Sequence, residues 1–348
     1  MLILSEVGRG RNISLTGLLR NLSRREGIPL STLKLNARIL RELGLIRIVE
    51  EEGMRIVRLT PLGHFMLGLL KDDVKDIRVD GELITFLKEK AKAIRKHVLR
   101  MILEAEMGHL GASLSIVEIL VSLYFAKMRY DTRNPWWPFR DRLLLSKGHA
   151  APALYATLAE AGFIKKEVLM TFRDVKSPLQ GHPDMGIPGV DMVSGSLGQC
   201  LSIACGMALA LKRDRIPAKV YVILGDGELD EGQVWEAAMT ASKYELDNLI
   251  AIVDRNEFQQ EGRTEEIKPL EPLSLKWLAF GWYVFEVNGH DFRELLWALN
   301  EADKVRQRPC VIIAHTIKGR GFPPAEGNNE YHSKPIDGRT LKAWGFAL

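Results

Sequence analysis

The 348-residue sequence predicts an α/β protein, a doubly wound and mostly parallel sheet preceded by a small α+β domain. Three observations carry that expectation. Two short apolar runs rich in β-branched residues, VYVIL (Val220 to Leu224) and LIAIV (Leu249 to Val253), flank EGQVWEAAMTASKYE, which has helical composition and apolar spacing. Runs that are apolar at every residue belong to strands covered on both faces, so the unit reads strand, helix, strand. The N-terminal stretch has a different pattern, two amphipathic helices and a hairpin. Charge divides at the same place: residues 1–70 hold 11 Lys and Arg against 6 Asp and Glu, a net +5 in a chain whose total is +4. The expected domains are therefore residues 1–75 and 76–348, joined by the charged segment KDDVKDIRVDG, Lys71 to Gly81.

With 46% hydrophobic and 26% charged residues, the chain can bury a large core in more than one domain. No stretch approaches the roughly 20 apolar residues of a membrane span. The start, MLILSEVGRGRN, is too short and too soon charged for a signal peptide, and the expectation is a cytoplasmic protein. Cys200, Cys205 and Cys310 are odd in number, lie in apolar surroundings and lack paired-ligand spacing. Neither a disulfide framework nor a zinc site is expected.

In the first domain, an amphipathic stretch around Leu15 to Arg25 is followed by a turn at EGIPLS and a second helix from Ser31 to Leu43. Ser31 suits an N-cap, Leu33, Ala37, Leu40 and Leu43 share a face, and Gly44 stands where a C-terminal cap belongs. The segment LIRIVEEEGMRIVRL reads as a hairpin turning near Glu52 and Gly53, and Thr60 with Pro61 opens a closing helix. This pattern resembles the winged helix-turn-helix domains of microbial transcription regulators. Lys34, Arg38 and Arg41 on the second helix and Arg47, Arg55 and Arg58 on the hairpin offer phosphate contacts to DNA. Glu50, Glu51 and Glu52 at the tip repel such a backbone, and Leu35 and Ile39 on the open side of the helix suit a protein partner instead.

Chemistry concentrates after the two apolar runs. Asp226, in GDGELDEG, and Asn256, in DRN, both emerge at the carboxyl ends of parallel strands, the edge where open α/β sheets bind ligands. Gly225 and Gly227 let the backbone approach a bulky anion. Asp226, Asn256 and the main-chain oxygen of Phe258 form an oxygen-only set suited to octahedral Mg²⁺, which would bridge them to two phosphate oxygens. A lone GDG reads as a turn with a capping acid; the asparagine placed after the next strand turns the reading toward a metal-diphosphate site.

This arrangement resembles the thiamine diphosphate signature, and four motifs in family order make the chain similar to transketolases from about Gly81 onward. They are RNPWWPFRDRLLLSKGHAAPALYATLA, GHPDMGIPGVDMVSGSLGQCLSIACGMALA, the GDG segment, and KGRGFPPAEGNNEYHSKP. Four of the eight histidines fall in glycine-flanked or polar turns of this kind: His109, His149, His182 and His332. Any one alone reads as a surface or capping residue; together they form a constellation. The resemblance implies that His149 and His332 contact the diphosphate or donor sugar. It implies that His109 and His182 line the substrate channel and handle hydroxyl protons. Gly195 and Leu197 match positions that hold the aminopyrimidine, and Glu231 matches a glutamate that passes protons between paired sites, although an acid near a helix start has the same appearance. Cys200 stands where the family usually has glycine. His64, His97, His290 and His315 are expected to be structural, and the tryptophans to be core or interface anchors.

The strongest likeness is to the N-terminal subunit of split transketolases, which transfer a two-carbon ketol unit from a ketose phosphate to an aldose phosphate with thiamine diphosphate and Mg²⁺. In that family a glutamate on the cofactor's pyrimidine ring comes from a second α/β domain. After Val311 to Ile313 only KGRGFPPAEGNNEYHSKPIDGRTLKAWGFAL follows, so the implied partner is a separate chain, most simply in a heterotetramer. 1-Deoxyxylulose-5-phosphate synthase and the decarboxylating component of 2-oxo-acid dehydrogenases share the metal motif; the histidine contexts favour transketolase over the latter. A second class of reading is a regulator that senses thiamine diphosphate or a sugar phosphate and binds DNA through residues 1–75.

Overall fold

The structure is a computed structural model that describes residues 3, 6–7, 13–26, 29–42, 44–51, 54–60 and 80–344. The chain divides into two compact units, Met1–Asp76 and Ile77–Leu348. In the first, helices α1 (Leu15–Glu26) and α2 (Leu30–Glu42) precede strands β1 (Ile46–Glu51) and β2 (Met54–Leu59), which pair antiparallel. Leu18, Leu19 and Leu22 of α1 and Leu33 and Ala37 of α2 recur at helical spacing and close a core with Ile46, Val57 and Leu59. Ser31 is not the cap. The helix starts at Leu30, because Pro29 presets the backbone for entry and its carbonyl accepts the Leu33 N–H at 3.2 Å. Gly44, at φ +69°, does end the turn, with Leu45 N–H returning to the Leu40 carbonyl at 2.8 Å. Leu43, the hairpin tip at Glu52 and Gly53, the helix opening at Pro61, the side chains of Leu35 and Ile39, His64, and the linker as far as Val79 lie outside the described residues.

The second unit opens on α3 (Gly81–Glu104), capped by Asp80, whose carboxylate accepts the Glu82 N–H at 3.0 Å. Its residues Leu87, Ala91, Ile94 and Val98 lie on one buried face. Among the described residues the sheet has five parallel strands in the order β3 (Arg142–Leu145), β4 (Val220–Gly225), β5 (Leu249–Arg255), β7 (Cys310–His315), β6 (Tyr283–Asn288). Every residue of β4 and β5 is buried. Tyr221, Ile223, Ile250 and Ile252 share a core with α3, α4 (Ala151–Ala161) and α7 (Phe292–Ala302), while α5 (Gln199–Arg213) also packs against β4 and β5 and α6 (Gly232–Lys243) packs on α5. Cover on both faces is the physical reason these strands read as unbroken apolar runs. The register pairs Gly225 with Asp254, so the residues just past β4 and β5 emerge side by side.

Candidate active site

A cavity of about 310 Å³ opens at this carboxyl edge. Asp226 and Gly227 reach it from the end of β4, Asn256 and Phe258 from the end of β5, and Gly225 from the last residue of β4. Four loops distant in sequence supply the histidines, and His109, His149, His182 and His332 all line the same wall, as do Gly195 and Leu197. The His109 ring lies 5.0 Å from that of His149 and 5.4 Å from that of His332, centroid to centroid. His149 rides on the turn leading into α4, and the His182 loop is fixed by the Tyr155 hydroxyl, which donates to the carbonyls of Gln180 and His182 at 2.9 Å each. Glu231 stands apart, exposed at the start of α6 and outside this lining.

Burial pushes all four imidazoles below the ordinary histidine range, His332 to about 3, with nearby cationic groups adding to the effect. They are therefore neutral at pH 7, each with one donor and one acceptor nitrogen. Asp226 behaves oppositely. Burial and the neighbouring Asp254 raise its carboxyl to about 6, against the pull of Arg255. Its oxygens accept from Gly227 N at 2.9 Å, from Glu257 N at 2.6 Å and from Arg255 at 3.1 Å, which fixes the carboxylate's direction.

Several site residues were not foreseen from the sequence. Lys147 and Lys318 both line the cavity. Lys147 is buried in an ion pair with Asp254, whose carboxylate also accepts from Ser115 at 2.7 Å, Asn256 at 2.8 Å and Thr316. Burial, reinforced by Lys147, holds Lys318 down at about 8. Glu228 ties three loops together, accepting from Gly225 N at 2.9 Å, Gly198 N at 2.8 Å and the Ser146 hydroxyl. The only sequence signals were two glycine-flanked lysines past apolar runs; nothing marked Asp254 or Glu228 apart from ordinary strand-end and helix-start acids. Cys200, Cys205 and Cys310 are buried free thiols pushed up to about 11, 12 and 12 by burial.

The donor set fits a magnesium diphosphate. Among the described residues no three His, Cys, Asp or Glu side chains gather as a self-sufficient metal cage. Asp226, Asn256 and the Phe258 carbonyl would instead hold Mg²⁺ together with oxygens from the phosphates and water. A divalent cation would relieve the cost of ionising Asp226, and two lysines and neutral imidazoles supply donors to the anion.

Comparison with known proteins agrees with this chemistry. Residues 87–347 match the family described as transketolase, thiamine diphosphate binding domain. The chain is 48% identical over 258 residues to the 6-deoxy-6-sulfo-D-fructose transketolase subunit of Clostridium sp. (strain MSTE9), covering 74% of this chain and 94% of that one. It is 42% identical over 246 residues to an apulose-4-phosphate transketolase subunit of Phocaeicola vulgatus, covering 71% and 88%. Among solved structures, the transketolase of Campylobacter jejuni superposes with a TM-score of 0.71 at 35% identity, over 74% of this chain but 42% of that one. The shared fold and this similarity place the chain in the transketolase family, with residues 87–347 forming its thiamine diphosphate-binding domain.

Proposed function

We propose that the chain is the diphosphate-binding half of a split transketolase, completed by a separate pyrimidine-domain chain in a heterotetramer with two copies of each. It would move a two-carbon ketol unit from a ketose phosphate to an aldose phosphate in the cytoplasm. The observation that carries this reading is the convergence of four neutral imidazoles on the edge where Asp226 and Asn256 emerge. Relatives that are themselves named as transketolase subunits, and that this chain matches over 94% and 88% of their length, support the two-chain arrangement. In this reading Asp226, Asn256 and the Phe258 carbonyl hold Mg²⁺, and Lys147, His149 and Lys318 bind the diphosphate. Gly195 and Leu197 seat the pyrimidine, and His109, His182 and His332 orient the sugar and move its hydroxyl protons. Bound thiamine diphosphate supplies the electron sink for the transferred fragment; the protein supplies geometry and proton management. In the same reading Glu231, exposed at the start of α6, meets the partner chain and passes protons between paired sites. The test is calorimetry of thiamine diphosphate with Mg²⁺, using this chain alone and mixed with a candidate pyrimidine-domain chain, with ketol transfer followed in the same samples. Tight binding and turnover only in the mixture are expected. Tight binding by the lone chain, unchanged by the partner and without turnover, overturns the proposal in favour of a cofactor sensor.

Residues 1–75 we read as a winged helix-turn-helix-like docking unit. Glu50 and Glu51 lie at the distal end of the hairpin, and Arg58 is engaged by Glu51 at 2.6 Å, which removes a cation that DNA would need. The opposing observation is the exposed row Lys34, Arg38 and Arg41 on α2. Deleting residues 1–75 should leave chemistry intact and weaken assembly; a salt-dependent DNA shift by the full chain would instead favour the regulatory role.

A further inference from the structure

Beyond β7 and β6 at the same edge, a second cavity of about 600 Å³ opens between α3, the start of α7 and the loop after β7. Its walls carry five cations, Lys88, Lys92 and Arg95 from α3, Arg293 from the first turn of α7, and Arg320 from the loop. The three acids present are already engaged. Glu118 binds Arg95 at 2.6 Å and His290 at 2.9 Å, Glu326 binds Gly321 N at 2.8 Å and Arg320 at 3.5 Å, and Asp291 caps α7 through Arg293 N at 2.7 Å. Lys88, Lys92 and Arg293 have no acidic partner among the described residues.

The floor is fixed. His290, expected to be merely structural, donates from Nδ1 to Glu118 and accepts the Ile317 N–H on Nε2 at 2.8 Å, which settles its tautomer. Arg95 donates to the Arg320 carbonyl at 2.9 Å. Ile84, Ala91 and Phe292 give the cavity buried apolar surface. The loop bound by His290 and Arg95 is the one that carries Lys318 into the first cavity, so the two cavities share a wall without sharing lining residues.

We propose that this second cavity binds a phosphate monoester of sugar size. A phosphate dianion suits a cavity lined by three cations without an acidic partner among the described residues, a guanidinium among them. The volume suits a small molecule, and the buried apolar patch suits its carbon portion. A nucleic acid or acidic protein would call for an open charged face; here the charges line a concavity with a rigid floor.

Glycerol 3-phosphate, neither ketose nor aldose, is the probe. It is titrated calorimetrically into the full chain and into Lys92→Gln/Arg293→Gln, two exposed positions whose replacement leaves the core untouched. Saturable binding to wild type is expected, weakened about tenfold or more in the variant because charge-assisted contacts are lost. Affinity for thiamine diphosphate with Mg²⁺ should be the same in both. No saturable binding by wild type, equal binding by the variant, or parallel loss of both ligands overturns the assignment.

Discussion

Gly227→Ala tests how the GDG turn builds the cofactor site. A Cβ at Gly227 would fall 2.5 Å from Gln259 Cβ and 3.3 Å from Gln259 Cα, against a normal carbon contact of about 3.5–4.0 Å. A rotamer change cannot relieve a clash with Cβ and backbone. The segment around Gln259 is also held, with Gln259 N donating to the Gly262 carbonyl at 2.9 Å and Phe258 bridged to Arg263. The loop after β5 must therefore move about 1 Å away from the turn after β4. That separates Asp226 from Asn256 and the Phe258 carbonyl, the groups proposed to meet at one metal. Overpacking of this kind costs about 1–3 kcal/mol. If the cost falls on the cofactor-binding geometry, affinity for thiamine diphosphate with Mg²⁺ drops about 5- to 150-fold. Calorimetry on the chain with its partner, beside urea denaturation, separates binding from folding. Gly232→Ala is the control, because no atom lies within 4 Å of its added Cβ. It should leave binding unchanged and raise stability by up to about 1 kcal/mol. If Gly227→Ala matches this control in both measurements, the two loops do not close against each other as described.

Three further outcomes are expected. Asp226→Ala should abolish Mg²⁺-dependent cofactor binding while Arg255 keeps Glu265 and Glu271 as partners, so a folded protein with unchanged affinity would remove Asp226 from the metal site. His109→Ala in the assembled enzyme should lower kcat more than cofactor affinity; an effect on affinity alone would move His109 to the diphosphate. Because burial and Lys147 hold Lys318 at about 8, its positive charge is lost as pH rises through that value, and cofactor affinity should fall there by up to about tenfold per pH unit. The folding linkage has the opposite sign. Between about 8 and the ordinary lysine value the unfolded chain binds more protons, so this group's contribution makes stability rise with pH. Lys318→Gln should flatten the affinity profile, and a profile unchanged by that substitution would show that Lys318 does not face the anion.

The sequence alone determined the parallel sheet and its ligand edge. Val220–Leu224 and Leu249–Val253 are apolar at every position because helices cover both faces, and that cause writes itself into local composition. Asp226 and Asn256 were legible for a related reason, since the end of such a run fixes where the next residue emerges. The histidines were legible as motifs, each in its own glycine-flanked or polar turn, but the meeting of His109, His149 and His332 with ring centroids 5.0–5.5 Å apart was not. The start of α2 was misplaced by a residue because Pro29, rather than a capping hydroxyl, sets it.

Only the tertiary structure decided which charges are neighbours. Lys147 and Asp254 are 107 residues apart, Ser146 and Glu228 are 82 apart, and Glu118 and His290 are 172 apart. A side chain's local sequence says whether it prefers a loop, a strand end or a helix start. The cost of burying a charge is met by whichever partner the fold brings across the gap, and no periodicity or spacing in the chain encodes that meeting.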